Sequence, residues 1–279
     1  MMPINNKIDF SKIMIDNKIT HPETKKYKKS NFKKMLAKYD ILFIKPTFGS
    51  KGYGIIIIEK VNKDFFSIKY KIQDRQKKWL CVNNKNIFKK ELYAAVEEAK
   101  KQLKNTNSNY FIQQGIDIYK YKNQQTDFRV NVQRGLNGVI MVTSLVMRVG
   151  GNLSQGGRPA DYKIVLQPLE EYSLSIENIK NEVINLSINA HLALEKFTGK
   201  EIGDLGMDLV IDNDGKAYII EANTKNGYPS MYIEKNTFLE NLYGLPPALS
   251  LCKQSDENHE NNLIEYAKYL VKKTSISQI

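Results

Sequence analysis

Cysteine is almost missing from this sequence. Cys81 and Cys252 are the only two in 279 residues, and their spacing suits neither a zinc cluster nor a disulfide framework, so a reducing compartment is the expected setting. Histidine is scarce too: His21, His191 and His259 share no spacing that would let them act together, and His191 falls within a helical pattern where a structural role is expected. Trp79 is the single tryptophan and reads as a core or interface aromatic. No apolar run approaches the roughly 20 residues that cross a bilayer. The first ten residues carry Pro3, Asn5 and Asn6 and no apolar centre, which predicts no signal peptide. These scarcities exclude a disulfide scaffold, a zinc module and a helical membrane protein, and they predict a cytoplasmic one.

Lysine is plentiful. Lys and Arg number 42 against 30 Asp and Glu, a net charge of +12, and residues 1–40 hold ten lysines against four acids. Such a surplus concentrates anions, whether nucleotides, acidic peptides or nucleic acid. No basic and aromatic pattern of a single-strand binder accompanies it, so nucleic acid is not the expected partner. Hydrophobic residues at 42% and charged residues at 26% are ordinary for a globular chain. The length supports one large domain or two small ones.

Periodicity divides the chain into three segments. Residues 1–40 read as a basic helix-and-loop segment around His21-Pro22-Glu23-Thr24. Residues 41–115 read as a first lobe, with strands expected at 41–45, 53–60, 65–72, 79–82 and 110–118. Its helix is expected at 89–104, where Leu92, Val96, Ala99 and Leu103 recur at helical spacing. Residues 116–279 read as a second lobe, with strands at 128–133 and 139–149 and a long helix at 176–197. Ile176, Ile179, Val183, Leu186, Ala190 and Leu194 make one stripe there, and Gly199 closes it as a C-terminal cap. A hairpin at 207–223 and a final helix at 262–272 follow. Sheet and helix recur in each half, which predicts an α+β protein of two lobes with a nucleotide-sized cleft between them.

The first chemistry lies in Lys45-Pro46-Thr47-Phe48-Gly49-Ser50-Lys51-Gly52-Tyr53-Gly54. Glycines let backbone N–H groups approach phosphate oxygens unobstructed, and Lys45 ends the incoming strand, where its ammonium can meet phosphate. The β-branched run that follows shows that the loop joins two strands, whereas Rossmann and Walker loops open a helix. A plain hairpin turn remains the alternative. The kinase reading fails for want of H-R-D and D-F-G segments.

The second chemistry lies in the hairpin Gly206-Met207-Asp208-Leu209-Val210-Ile211-Asp212 and Ala217-Tyr218-Ile219-Ile220-Glu221-Ala222-Asn223. A four-residue loop pairs Asp212 with Ala217, a two-residue turn at Asp214-Gly215 gives the same register, and both place Asp208 opposite Glu221. Opposed residues share a face with Cβ atoms about 5 Å apart, and Asn223 shares it two residues on. Two carboxylates and an amide oxygen that converge repel unless a cation sits among them. Such oxygen ligands suit Mg²⁺ held jointly with phosphates. Leu209, Ile211, Tyr218 and Ile220 are expected to bury the other face. A solvent-exposed acidic strand end is the bland alternative.

Two arginines could clamp a transferring phosphoryl group with their planar forks. Arg129 follows Asp127 and Phe128 and reads equally as a clamp or as an ion-pair partner of Asp127 or another acid. Arg148, inside Val146-Met147-Arg148-Val149, favours the clamp, because an apolar strand rarely carries an unpaired cation. Asn152 and the Gly156-Gly157 pair read as a loop. Gln113-Gln114-Gly115-Ile116 reads as a hinge whose backbone could meet an adenine edge, or as an ordinary strand end.

In this order the motifs resemble the ATP-grasp superfamily, nearest to its spore-coat-associated YheC/YheD type. The cues are His-Pro-Glu-Thr at 21–24, Lys-Pro-x-x-Gly-Ser-x-Gly-x-Gly at 45–54, Gln-Gln-Gly-Ile-Asp at 113–117, Asp-x-Arg at 127–129 and Ile-Glu-Ala-Asn at 220–223. The layout is also similar to ATP-grasp glutamate ligases. The resemblance implies an ATP- and Mg²⁺-dependent ligase that joins a carboxylate to an amine through an acyl phosphate. It implies that Lys45, Arg148 and Arg129 serve the transfer. Lys12, Lys45, Gly49, Ser50, Lys51, Gly52, Gly54, Gln113, Gln114 and Ile116 would bind ATP, and Asp208, Glu221 and Asn223 the metal. Two departures bear on substrate. With about 40 residues ahead of Lys45, the superfamily's N-terminal α/β substrate domain is expected to be absent or reduced. The usual Asn-x-x-Pro-Gly is replaced by Asn223-Thr224-Lys225-Asn226-Gly227-Tyr228-Pro229. Both departures leave the substrate class open; the first suggests a peptide or protein substrate, and a homo-oligomer or a separate substrate-binding partner is the expected assembly. Phosphotransfer, and nucleotide binding without catalysis, are the competing outcomes.

Overall fold

The structure is a computed structural model that describes residues 7–47, 54–61, 66–71, 77–82, 85–102, 109–135, 138–150 and 157–223, with positions 261 and 268. The chain divides into two compact units. The described residues of the first fall within 7–12 and 22–117, and those of the second within 13–21, 118–150 and 157–223, with positions 261 and 268. The expected final helix at 262–272 lies outside the described residues apart from position 268. Helix α1 (Lys7–Asp16) begins the described chain. Among the described residues no helix is long and apolar enough to cross a membrane.

The first unit is built on an antiparallel sheet of β1 (Thr24–Lys26), β2 (Ile41–Pro46), β3 (Ile56–Lys60), β4 (Phe66–Lys71), β5 (Lys77–Val82) and β6 (Tyr110–Gln114). Their spatial order is β1-β6-β2-β3-β4-β5. In β2 burial alternates along the strand, with Leu42 and Ile44 fully enclosed. The β-branched run Ile56-Ile57-Ile58 is buried on both faces, as suits an interior strand. Helices α2 (Lys29–Lys38) and α3 (Lys85–Gln102) complete this core. Phe32 and Met35 of α2 and Leu92, Ala95, Val96 and Ala99 of α3 pack with Leu42, Ile44, Ile56, Ile58, Ile68 and Ile112.

Two features of this unit differ from the sequence reading. The segment around His21-Pro22-Glu23-Thr24 contributes β1, which pairs with β6 through Thr24–Gln113, Lys25–Ile112 and Lys26–Phe111. The strand expected at 110–118 stops at Gln114. Beyond it the Gly115 N–H donates to the Ile41 carbonyl at 2.7 Å, and Ile118 forms an isolated bridge with Asp212.

The second unit's sheet takes β7 (Lys120–Tyr121), β8 (Gln124–Arg134), β9 (Ile140–Val149), β10 (Arg158–Ala160), β11 (Asp204–Ile211) and β12 (Ala217–Asn223). The main path runs β10-β9-β8-β11-β12, with β7 paired to β8. Helix α5 (Ile176–Thr198) packs across β8, β9, β11 and β12. Its apolar stripe is buried from Ile179 to Leu194, with Ile176 half-buried at the start. Ser175 caps that start by accepting from the Asn178 N–H, and Gly199 at φ +64° closes the helix. Helix α4 (Tyr162–Glu170) is an addition to the sequence reading. Asp161 caps it by accepting from the Lys163 N–H at 2.9 Å, and Pro168 near its end conceals it.

Candidate active site

Four strands of the second unit carry a row of charge on one face. Asp127 and Arg129 alternate along β8. Arg148 of β9 stands opposite Asp127, Asp208 of β11 opposite Arg129, and Glu221 of β12 opposite Asp208. Asn223 follows two residues on. The period of two in a strand turns the neighbours Phe128, Met147 and Leu209 to the other face, where they are fully buried. Alternation in the sequence therefore produces a dry face and an ionic face on the same strands.

The ionic face is tightly connected. Arg148 donates Nε to Asp127 Oδ1 at 2.6 Å and Nη2 to Asp127 Oδ2 at 2.7 Å, the forked geometry in which an arginine is held most firmly. The same Nη2 reaches Asp208 Oδ1 at 3.0 Å, and Arg129 Nη1 lies 3.2 Å from that oxygen. Asn223 Nδ2 donates to Glu221 Oε1 at 3.2 Å. The Asp208 side chain is only 15% exposed. Burial pushes its carboxyl up to about 6, against the pull of Arg148 and Arg129 and with further upward push from Glu221 and Asp127. The net rise means that burial outweighs the two guanidinium groups at this carboxyl.

That electrostatic state bears on whether a metal fits. Asp208, Glu221 and the Asn223 amide offer oxygen donors only, which suit a hard divalent cation. Among the described residues no three acidic, histidine or cysteine side chains form a metal-binding group. Two carboxylates and one amide instead suit an ion that completes its shell with ligand phosphates. The residues fit Mg²⁺ in that shared mode.

The hairpin reaches its pairing by an unexpected route. Its turn closes with Ile211 opposite Ala217, one residue away from the expected Asp212–Ala217 register. A bulge beside Asp208 and Leu209 then absorbs Ile220 and restores Asp208 opposite Glu221. The shift also corrects the buried face. Ala217 and Ile219 are enclosed with Leu209 and Ile211, while Tyr218 and Ile220 are only half-buried. The cause is local: Asp212 Oδ1 accepts from the Asp214 and Lys216 N–H groups at 3.1 and 2.9 Å, so Asp212 belongs to the turn.

The arginine alternatives resolve by partner. Asp127 takes Arg148, and Arg129 takes Asp208. Asp127 is a site residue that sequence reasoning considered only as an ion-pair acceptor for Arg129. The cross-strand register, which no short motif encodes, makes it the anchor of Arg148 instead.

In the first unit, Lys45 donates Nζ to Gln113 Oε1 at 2.5 Å and lies 4.8 Å from the Phe43 ring centroid. Gln114 ends β6, and Ile116 follows half-buried. Gly54 adopts φ +73° at the end of the glycine-rich segment, while Gly49, Ser50, Lys51 and Gly52 lie outside the described residues. Lys12 is exposed on α1. A groove of about 450 Å³ along α5, lined by Thr20, Asn178, Asn181, Glu182, Asn185, Leu186 and Asn189, includes none of the candidate residues.

Gly115 is needed for close approach. A Cβ there would stand 2.2 Å from Ile41 Cγ2 and 3.0 Å from the Ile41 carbonyl oxygen. Gly115→Ala is expected to destabilise the first unit by roughly 1–3 kcal/mol, the range for overpacking. Chemical denaturation measures the loss, and Ile41→Ala in the same chain should recover part of it.

Two helix-backed antiparallel sheets in this strand order define an ATP-grasp fold. Solved structures share it. A Campylobacter jejuni biotin carboxylase in a β,γ-ATP complex aligns at TM-score 0.53 with 16% identity, covering 90% of this chain and 46% of that one. A Hydrogenobacter thermophilus 2-oxoglutarate carboxylase biotin carboxylase domain with MgADP aligns at TM-score 0.52 with 15% identity, covering 91% and 45%. The chain belongs to the YheC/D-like ATP-grasp family, whose model matches residues 3–270. It is similar to two Bacillus subtilis proteins: endospore coat-associated protein YheD, 27% identical over 68% of this chain, and endospore coat-associated protein YheC, 22% identical over 81%. The matched region spans 40% of YheD and 60% of YheC.

Proposed function

We propose that this chain is an ATP- and Mg²⁺-dependent ligase that joins a carboxylate to an amine through an acyl phosphate. The observation that carries the reading is the ionic face on β9, β8, β11 and β12. There a buried acid opposes a second acid and sits against two arginines, one of them locked by Asp127. Membership of the YheC/D-like ATP-grasp family supports nucleotide use.

In this reading Asp208, Glu221 and Asn223 would hold Mg²⁺, which would supply charge neutralisation to the nucleotide. Lys45 contacts the phosphates, and Gln113, Gln114 and Ile116 border the adenine. A substrate carboxylate oxygen attacks the γ-phosphorus, and the bond to the β–γ bridging oxygen breaks to release ADP. Arg148, anchored by Asp127, and Arg129 stabilise the charge that spreads over the transferring group. An amine nitrogen then attacks the acyl carbon, loses a proton and expels phosphate. No protein nucleophile is required, so positioning and electrostatics carry the catalysis. The substrate class best matched to a chain with net charge +12 is an acidic peptide or protein.

The test is product analysis with Mg-ATP and pools of carboxylates, amines and acidic peptides. ADP and phosphate should appear in equal amounts, dependent on both co-substrates. AMP with pyrophosphate would refute the acyl-phosphate route, and ADP without free phosphate would reveal a phosphotransferase. A second reading follows from the two relatives, both endospore coat-associated proteins. In it the chain binds Mg-ATP and serves a coat assembly without turnover, and binding with no products from any pool would favour it.

A further inference from the structure

The Glu23-Thr24 segment is not yet accounted for by the proposed chemistry, although its hydrogen bonds converge on three candidate ATP-binding residues. The Thr24 hydroxyl donates to the Pro22 carbonyl at 2.9 Å. A hydroxyl has one proton, so toward Gln113 Nε2, 3.1 Å away, Thr24 Oγ1 must accept. That choice settles the orientation of the Gln113 amide. Its nitrogen faces Thr24 and its oxygen faces the Lys45 ammonium at 2.5 Å. With the opposite orientation, the amide N–H groups would point at a cation. Gln113 is 6% exposed, so water has little access to compensate for such a mismatch.

Glu23 acts on the next residue. In the β1–β6 ladder the Gln114 N–H donates to the Glu23 carbonyl at 2.8 Å. Antiparallel geometry would return the Glu23 N–H to the Gln114 backbone carbonyl. It goes instead to the Gln114 side-chain oxygen, Oε1, at 3.1 Å. Among the described residues no N–H meets the Gln114 carbonyl: the pairing of Leu42 with Gln114 on β2 uses the Gly115 N–H and the Ile41 carbonyl. The side-chain amide has taken the carbonyl's place in the ladder. The displaced carbonyl is a backbone acceptor at the start of the Gln114-Gly115-Ile116 hinge, complementary to an exocyclic amino group. Adenine presents such a donor at C6, where guanine presents an acceptor.

We infer that Glu23-Thr24 is a positioning and base-selecting strand for the nucleotide site. Thr24 acts through Gln113 on the Lys45 ammonium, and the Glu23 N–H engages the Gln114 side chain so that the Gln114 carbonyl selects an amino-bearing purine. The inference rests on the ATP-binding reading above and adds residues to it that touch no ligand. The Glu23 carboxylate reinforces the strand. It accepts from Lys38 Nζ at 2.7 Å and Tyr39 Oη at 2.6 Å and pairs with Lys25 at 2.7 Å. These contacts hold it down at about 2, so the brace is ionised throughout the neutral range.

Calorimetric titration of the full chain with Mg-ATP and Mg-GTP, paired with thermal melts, tests the inference. Thr24→Val keeps the side-chain shape but loses the hydroxyl, and should weaken ATP about tenfold, as expected for misplacing one charge-assisted contact. Thr24→Ser should restore affinity to within about twofold. Gln114→Leu should lower the preference for ATP over GTP about tenfold or more. Its melting temperature should stay near that of the parent, because the Glu23 N–H can return to the backbone carbonyl. ATP binding by the parent with unchanged affinity in Thr24→Val and unchanged base preference in Gln114→Leu overturns this inference and leaves the ATP reading intact. A Gln114→Leu chain that melts lower yet keeps its preference shows a structural role and also overturns it. Failure of the parent to bind either nucleotide removes the ATP reading and this inference together.

Discussion

Replacing Asp208 with asparagine is expected to abolish turnover while raising the melting temperature of the metal-free protein. The activity loss should be about a thousandfold, the scale found when a group that stabilises transition-state charge is removed. The stability gain follows from burial. The carboxyl is raised from 3.8 to about 6 in the fold, so the folded chain holds its proton more tightly than the unfolded chain does. Stability from this group is therefore fully present below pH 4 and falls as pH climbs through 6, by roughly 2–3 kcal/mol in all. Asparagine avoids that loss at neutral pH. It keeps one acceptor oxygen for Arg129 and Arg148, and their weaker pairing offsets part of the gain. A net increase of about 1–2 kcal/mol, or a few degrees in Tm, is expected at pH 8 in chelator. Mg-ATP should reverse the ranking by stabilising the parent and not the variant. A variant that melts below the parent in chelator would show that the arginine pairing outweighs burial. One that turns over normally would remove Asp208 from the metal site.

The same residue shows how the sequence was legible and where it was not. Asp208 and Glu221 were placed opposite each other from residue counting, and they are opposite, yet the counting began from the wrong turn. Asp212 spends its carboxylate on the turn's own N–H groups, which shortens β11 by one residue, and the bulge at Ile220 cancels that error before the acids are reached. A local hydrogen-bond competition set the register, and nothing in hydrophobic alternation announces it. Alternation did announce the dry and ionic faces of β8 and β9, because Phe128 and Met147 sit beside Asp127 and Arg148. It could not say that Asp127 would choose Arg148 over Arg129, since that depends on cross-strand partners remote in sequence. Helix α5 was readable from its stripe and caps alone. Strand β1 was not: three residues of mixed charge have no periodicity, and the ladder with β6 defines them. The ATP-grasp order of motifs was visible without any coordinates, because glycine spacing and paired acids are local patterns.

The largest stability effect is expected at Glu195, which is not among the candidate ligands. It projects from α5 toward the end of β8, where Arg134 donates Nε and Nη2 to its two oxygens. The Ile202 N–H donates to Oε1 at 2.7 Å, and His191 Nε2, on a fully buried ring one turn earlier, lies 3.4 Å from the same oxygen. Burial pushes the Glu195 carboxyl up, but Arg134, the Ile202 N–H and His191 together hold it below the usual range. Burial lowers His191, which favours a neutral ring in a pocket that already contains a complete ion pair. Both partners of that pair are nearly enclosed, at 13% and 12% exposure. Glu195→Ala would remove the buried carboxylate that pairs with the Arg134 guanidinium, which keeps its Nη1 bond to the Gly138 carbonyl, and would take the acceptor from the Ile202 N–H, at a cost of roughly 3–5 kcal/mol. A fall of about 10 °C in Tm should result for a unit of this size. The loss belongs to an uncompensated charge rather than to the worth of the pair. Replacing both Arg134 and Glu195 with methionine should therefore recover most of it, since a well-packed apolar pair often matches a buried ion pair in stability. Thermal melts of the single and double variants decide the matter. A single variant that melts within 2 °C of the parent would mean that solvent reaches Arg134 freely, and a double variant no better than the single would mean that α5 is held to β8 by the charges themselves.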